Sequence, residues 1–167
     1  VDIDAMRPAL ALGAELGAKY ALVQGTDPDR ARLRDAFGRF CDAAAGCGLF
    51  AMLEFTPMRA VATLHQALTL VEEAGRANSG VLIDSQHFAR AGHRAADLAD
   101  VPPARLPYMQ IRVPVDPDLL AAISPALPLS VEMPAPGGAV PSAWARQVIH
   151  AARRLLATAP TASRPNA

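Results

Sequence analysis

The sequence predicts an α/β fold in which about five parallel strands alternate with helices. Three observations predict it. Short apolar runs recur along the chain as KYALVQ, LFAMLEF, GVLID, PYMQIRV and LPLSVEM, each with the length and flanks of a buried parallel strand. Stretches of helical spacing separate them, and strict strand and helix alternation implies a parallel sheet with right-handed crossovers. Finally, four consecutive runs end in an oxygen-bearing polar residue: Glu54, Asp84, Gln110 and Glu132. The carboxyl ends of parallel strands are where α/β barrels place their chemistry.

Each element has a local justification. Asp2 to Leu16 is helical in period, with Gly17 as its stop, and the strand KYALVQ follows. Gly25 and Thr26 turn the chain, and Asp27 is positioned to cap a helix with Pro28 at its first position. That helix runs through Phe37 and Phe40 towards Gly46 and leads into LFAMLEF. A third helix is predicted over Ala60 to Ala74, ended by Gly75, before the strand GVLID. The segment from His87 to Arg105 is looser, with a short helical stretch around Ala95 to Ala99. PYMQIRV, a proline-punctuated segment containing DLLAAI, and LPLSVEM follow. The last helix spans about Ser142 to Ala157 with Ser142 as N-cap, and residues 159–167 read as a disordered tail after one domain over residues 1–158.

Composition limits what these residues belong to. With 167 residues, 51% of them hydrophobic, and a formal net charge of zero, the chain has the means to bury one sizeable core. No basic excess marks a nucleic-acid partner. Arg30, Arg32, Arg34 and Arg39 lie among Asp27, Asp29, Asp35 and Asp42, which reads as a solvated helix face. No run reaches the apolar length of a membrane span, and no signal-like segment opens the chain, so the expected address is the cytoplasm. Cys41 and Cys47 lack CxxC spacing and read as small hydrophobes.

Five βα units fall short of a closed barrel, which takes eight strands and about 250 residues. Either the sheet is open, or the sequence corresponds to strands four to eight of a partial (β/α)8 TIM barrel. The absence of an initiator Met and the start inside a helix favour the second. Both leave sheet edges in KYALVQ and LPLSVEM, so a partner subunit or a missing amino-terminal segment is expected. A homodimer would show as twice the chain mass in size-exclusion chromatography with light scattering; a stable monomer refutes it.

The stretch LEFTPMRAVATLHQALTLVEEAGRANSGVLIDSQHFARAG, followed by PYMQIR and LPLSVEMP, resembles the sugar phosphate isomerase/epimerase family, the xylose isomerase-like barrels. The likeness runs from Lys19 to about Leu156, carried by the LEF, DxxHF and SVE elements in that order. It implies a divalent metal held at successive strand ends by Glu54, Asp84, Gln110 and Glu132. It also implies that His87 contacts a substrate, a sugar or sugar phosphate. Three carboxylates and an amide carbonyl form an oxygen shell suited to hard cations, so Mn2+ or Mg2+ is expected, with Zn2+ or Co2+ as alternatives. Glu54 and Glu132 would flank the sugar as an acid and base pair, moving a proton through a metal-stabilised enediolate.

Structural readings compete with these. A strand-end carboxylate also caps helices or pairs with arginine, an argument that weakens when four occur together. Arg90 is a candidate for a substrate phosphate or carboxylate, with an exposed loop arginine as the alternative. Arg59 is equally open between the site mouth and a local ion pair. His65, His93 and His150 read as surface residues, and Trp144 as core packing in the last helix. The sequence also departs from the family: Val113 and PVDPD replace an acidic residue and a long loop, leaving 21 residues between Gln110 and Glu132. The alternatives to an isomerase or epimerase are therefore a degenerate, non-catalytic barrel fragment and an inosose-dehydratase-like lyase. An endonuclease IV-like activity is disfavoured, because its extra metal ligands and basic face are missing.

Overall fold

The computed structural model describes residues 2–158; the expected tail over 159–167 lies outside the described residues. In chain order the main elements are α1 (Arg7–Glu15), β1 (Tyr20–Gln24), α2 (Arg30–Ala45), β2 (Phe50–Glu54), α3 (Leu64–Ala74) and β3 (Ser79–Asp84). They continue as α4 (Ser85–Arg90), β4 (Met109–Ile111), α5 (Pro117–Ala122), β5 (Leu129–Val131) and α6 (Pro141–Thr158). The five strands lie side by side in chain order and every pairing is parallel. This is a partial TIM barrel, a curled half-barrel with its helices outside. β1 and β5 each have one edge without a neighbour among the described residues.

Several boundaries differ from the expected ones for local reasons. The first helix opens as a 3-10 turn over Asp4–Met6, and α1 proper begins at Arg7 with a proline in its first turn, where a missing N–H costs nothing. Asp27 does not cap α2. Asp29 does, accepting from the Arg32 backbone N–H at 2.9 Å, while Arg32 takes the Asp27 carboxylate with its guanidinium. Those hydrogen bonds pull the Asp27 carboxyl down to about 2. α3 starts at Leu64 and not at Ala60, because Thr63 and Gln66 form a capping box there. Upstream, Val61 donates to the Gly25 carbonyl and accepts from Thr56, fixing that segment as a loop against the end of β1. The helix around Ala95 is a 3-10 turn, Ala95–Leu98. α6 begins at Pro141, so Ser142 sits in its first turn and is not its N-cap.

The strands separate two layers. Ala51, Leu53, Val81, Ile83, Met109 and Ile111 are buried towards the helices, packing with Phe37, Phe40, Leu70 and Val71. Full burial of a side chain such as Leu53 or Ile83 stabilises by about 1.5–3 kcal/mol. The opposite face lines the half-barrel interior. At its amino-terminal end Tyr20 stacks on Tyr108, with ring centroids 5.2 Å apart, and meets the edge of Phe50. Gly80 makes room for this plug: a Cβ there would lie 2.8 Å from the Arg105 carbonyl oxygen and 3.1 Å from both Phe50 and Pro107. Because one of those neighbours is backbone, Gly80→Ala is expected to lose about 1–3 kcal/mol in urea unfolding. An unchanged midpoint would show that the strand gives way freely.

The polar surface follows the expected pattern. Arg32 pairs with Asp27 and Asp29, and Arg34 with Asp35, on an exposed helix face. Both cysteines are free; Cys41 is fully buried, and burial pushes its thiol up to about 12. Trp144 is only half-buried and donates its indole N–H to the Met133 carbonyl at 3.1 Å, tying α6 to the end of β5. The buried residues of α6 are Val148 and Ala152, so Trp144 is a clamp more than a core residue. No helix among the described residues is long and apolar enough to cross a membrane.

Candidate metal centre

The carboxyl ends of the strands converge on one interior patch. β1 and β2 pair so that Gln24 lies opposite Glu54, and β3 and β4 pair so that Asp84 lies opposite Gln110. In a parallel pair, residues opposite one another point to the same face. Glu54, Asp84 and Glu132 each bring an oxygen within 4.8 Å of the others. Glu54 and Asp84 are buried, the latter completely, while Glu132 is exposed. Glu132 lies one residue past β5, where its backbone N–H is held by the Ile111 carbonyl at 3.1 Å.

Each acid is anchored differently. Glu54 Oε2 accepts from the Gln24 amide at 2.7 Å, and its Oε1 stands 3.7 Å from His87 Nε2. Asp84 is the N-cap of α4: its Oδ1 accepts from the backbone N–H groups of Gln86 at 2.9 Å and His87 at 2.8 Å. This cap places His87 in the first turn of a short helix, not in the loop expected there. Asp84 Oδ2 and Glu132 Oε1 both face Arg112, which approaches with Nε at 3.3 Å and Nη2 at 3.1 Å. The Arg112 backbone N–H is fixed in turn by Ser85 Oγ at 2.9 Å.

Gln110 sits in the middle of the three-residue β4 and not at its end, since prolines at 107 and 114 bound the run. Its Oε1 is buried without a hydrogen-bond partner among the described residues, as is His87 Nδ1. Thr56 Oγ1 is likewise unpartnered; buried polar atoms without a partner are uncommon, and of the three the Gln110 oxygen is the one on the strand beside Asp84 and of a kind that ligates a hard cation. At formal charge, three carboxylates against the single guanidinium of Arg112 leave two negative charges uncompensated. A divalent cation matches that excess, and an all-oxygen donor set suits it. The residues present therefore fit a divalent metal, without selecting the ion.

Other expected residues fall elsewhere. Arg90 is exposed in the last turn of α4, and Arg59 is exposed in the loop after β2, beside the fully exposed Met58. His65 and His150 are exposed as expected. His93 is not a free surface residue: its side chain is 16% exposed, Nε2 accepts from the Leu64 backbone N–H at 3.0 Å, and the ring lies against Phe55 and Phe88. Its other nitrogen meets Asp97, whose carboxyl is held low by a backbone N–H at Arg94 and by His93 itself. The effect is to staple the start of α3 to the chain after α4.

Sequence reading passes over two members of the site, Gln24 and Arg112. Gln24 ends the first apolar run, so the rule that picks out Glu54 also picks out Gln24. Arg112 lies two residues beyond Gln110, one past the end of β4, and the strand's period of two, carried one residue further, turns both to one face.

A parallel half-barrel that brings three carboxylates within 4.8 Å of one another, with Gln110 in register beside Asp84 on the next strand, defines the class: a TIM-barrel protein with a candidate divalent-metal centre. Over residues 2–118 the sequence matches the family described as xylose isomerase-like TIM barrel, and the chain belongs to that family. No curated protein matches the sequence significantly. Among solved structures, L-ribulose 3-epimerase superposes with a TM-score of 0.76 at 16% identity, covering 94% of this chain and 67% of its own. The IolI protein with a binding zinc atom gives 0.72 at 21%, covering 92% and 66%. D-allulose 3-epimerase from Methylomonas sp. in complex with D-allulose gives 0.69 at 20%, covering 94% and 66%. This chain thus spans about two thirds of each, and at these identities the likeness shows the fold.

Proposed function

We propose that the chain carries the metal-binding and catalytic residues of a metal-dependent isomerase or epimerase acting on a sugar or sugar phosphate. The observation that carries this reading is the convergence of Glu54, Asp84 and Glu132 within 4.8 Å beside the unpartnered Gln110 carbonyl. Relatives of the same fold include a zinc-bound protein and two 3-epimerases, which supports a divalent metal and a ketose. Glu54, Asp84, Gln110 and Glu132 would hold the ion. Bound there, it would place positive charge beside the carbonyl and neighbouring hydroxyl of a ketose and stabilise the enediolate formed when the adjacent carbon loses a proton.

The chain's own groups do the rest. Glu54, held by Gln24, takes the proton from the carbon beside the carbonyl, and the electron pair of that C–H bond moves into the enediolate. Glu132, the exposed member of the cluster, would return a proton to the opposite face, inverting the centre; in the reverse direction the two exchange roles. His87, with Nε2 3.7 Å from Glu54, would hydrogen-bond a substrate oxygen. Arg90 enters only if a substrate phosphate reaches out to α4.

The test is solvent exchange. With Mn2+, Mg2+, Zn2+ or Co2+ present, the protein is incubated in D2O with D-allulose, L-ribulose and sugar phosphates, and deuterium at the carbon beside the carbonyl is followed by NMR. Incorporation together with a new epimer is the expected result; none with any pair of metal and sugar overturns the reading. The rival, a non-catalytic barrel segment, is favoured by one observation, that Arg112 already satisfies Asp84 and Glu132.

A further inference from the structure

Arg112 occupies the place where its neighbours would have to turn towards a cation. Its guanidinium spans Asp84 Oδ2 and Glu132 Oε1, two of the three acids in the cluster, while its side chain is only 21% exposed. Three carboxylates this close repel one another, and a planar fork with several N–H donors is suited to joining two of them. The same hydrogen bonds direct those oxygens at a positive group other than a metal. A guanidinium and a divalent ion sharing these two carboxylates would also repel at short range, and in a partly buried site solvent screens that repulsion weakly.

We propose, resting on the metal-site reading above, that Arg112 is an internal competitor for the metal centre. It holds Asp84 and Glu132 together in the metal-free protein and leaves them when the ion is taken up, so it sets the affinity of the site. The Ser85 contact engages Arg112 only through its backbone N–H, at 2.9 Å, so the guanidinium is held by Asp84 and Glu132, the two groups an ion would take from it. The competitor keeps the unloaded site from carrying three uncompensated charges, at the expense of weaker metal uptake.

The experiment compares wild type, Arg112→Met and Arg112→Lys by calorimetric titration with Zn2+ and Mn2+. Visible absorption of bound Co2+ and thermal melts with and without metal accompany it. Arg112→Met is expected to bind about tenfold or more tightly, equivalent to about 1.4 kcal/mol. Arg112→Lys, an ammonium without the fork, falls between. The metal-free Met variant should melt below wild type and recover more on adding metal. Equal or weaker affinity in Arg112→Met overturns the proposal while leaving the metal centre standing; should that variant not fold, equal or weaker affinity in Arg112→Lys does the same. Binding by Arg112→Met alone upholds the competitor and removes the metal-dependent function from the native chain. If none of the three proteins binds any of the metals, both readings fall.

Discussion

Replacing Asp84 by alanine is expected to cost about 3 kcal/mol of stability and to abolish metal binding. Asp84 is fully buried and has two jobs in one side chain. One oxygen caps α4 through two backbone N–H groups, and the other faces the Arg112 guanidinium. Alanine orphans both donors and leaves a partly buried cation short of a partner, and breaking a buried pair in this way costs about 3–5 kcal/mol when no group replaces it. Exposure of Arg112 and its second partner, Glu132, place the expected value at the lower end. Asparagine separates the two jobs, since its amide oxygen still caps α4 but carries no charge. Asp84→Asn should therefore fold, with a loss nearer about 1–2 kcal/mol, and gain no stability from added Zn2+ or Mn2+. Urea unfolding with and without metal reads both effects. An Asp84→Asn protein stabilised by metal as strongly as wild type would take Asp84 out of the ligand set.

The second large effect is expected at Glu54. Glutamine has the same shape and still offers an oxygen to the Gln24 amide, so Glu54→Gln should fold like wild type. It lacks a carboxylate able to accept a proton from carbon, and deuterium exchange into a ketose should fall by about 10²–10⁴-fold, the usual contribution of a positioned base. Glu132→Gln should slow net epimer formation by a similar factor. Circular dichroism confirms that each variant folds before rates are compared. Exchange at the wild-type rate in Glu54→Gln would move the base elsewhere, with His87, 3.7 Å from Glu54, as the next group to replace.

Much of this arrangement was legible in the sequence because it depends on local physics. Buried parallel strands must be apolar on both faces, so Phe50–Glu54 and Ser79–Asp84 stand out as runs, and a charged residue ending such a run is conspicuous. Glycine in the left-handed conformation ended α3 at Gly75, as its position promised. Helix starts were less legible, because several side chains competed for each cap. Asp27 has the chemistry of a cap, but α2 starts at Arg30, so Asp29 takes that place while Asp27 is engaged by the Asp29 backbone N–H and the Arg32 guanidinium. His93 looked like a surface residue because nothing local shows that its ring will lie between Phe55 and Phe88, 38 and 5 residues away in the chain.

By itself, then, the sequence determined the alternation of strands and helices and the identity of the acids at the strand ends, since periodicity and side-chain chemistry are properties of short segments. Only the tertiary structure decided that Gln24 braces Glu54 across the β1–β2 register, that Asp84 spends one oxygen capping α4, and that Arg112 closes over Asp84 and Glu132. The Gln24 and Arg112 contacts join residues 20 to 30 positions apart, and they exist because parallel pairing brings separate strand ends onto one face; the Asp84 cap is local, but the chain must first leave β3 for α4 at that residue. The number and kind of ligands are written in the segments; whether those ligands are free to receive an ion depends on how the strands are laid side by side.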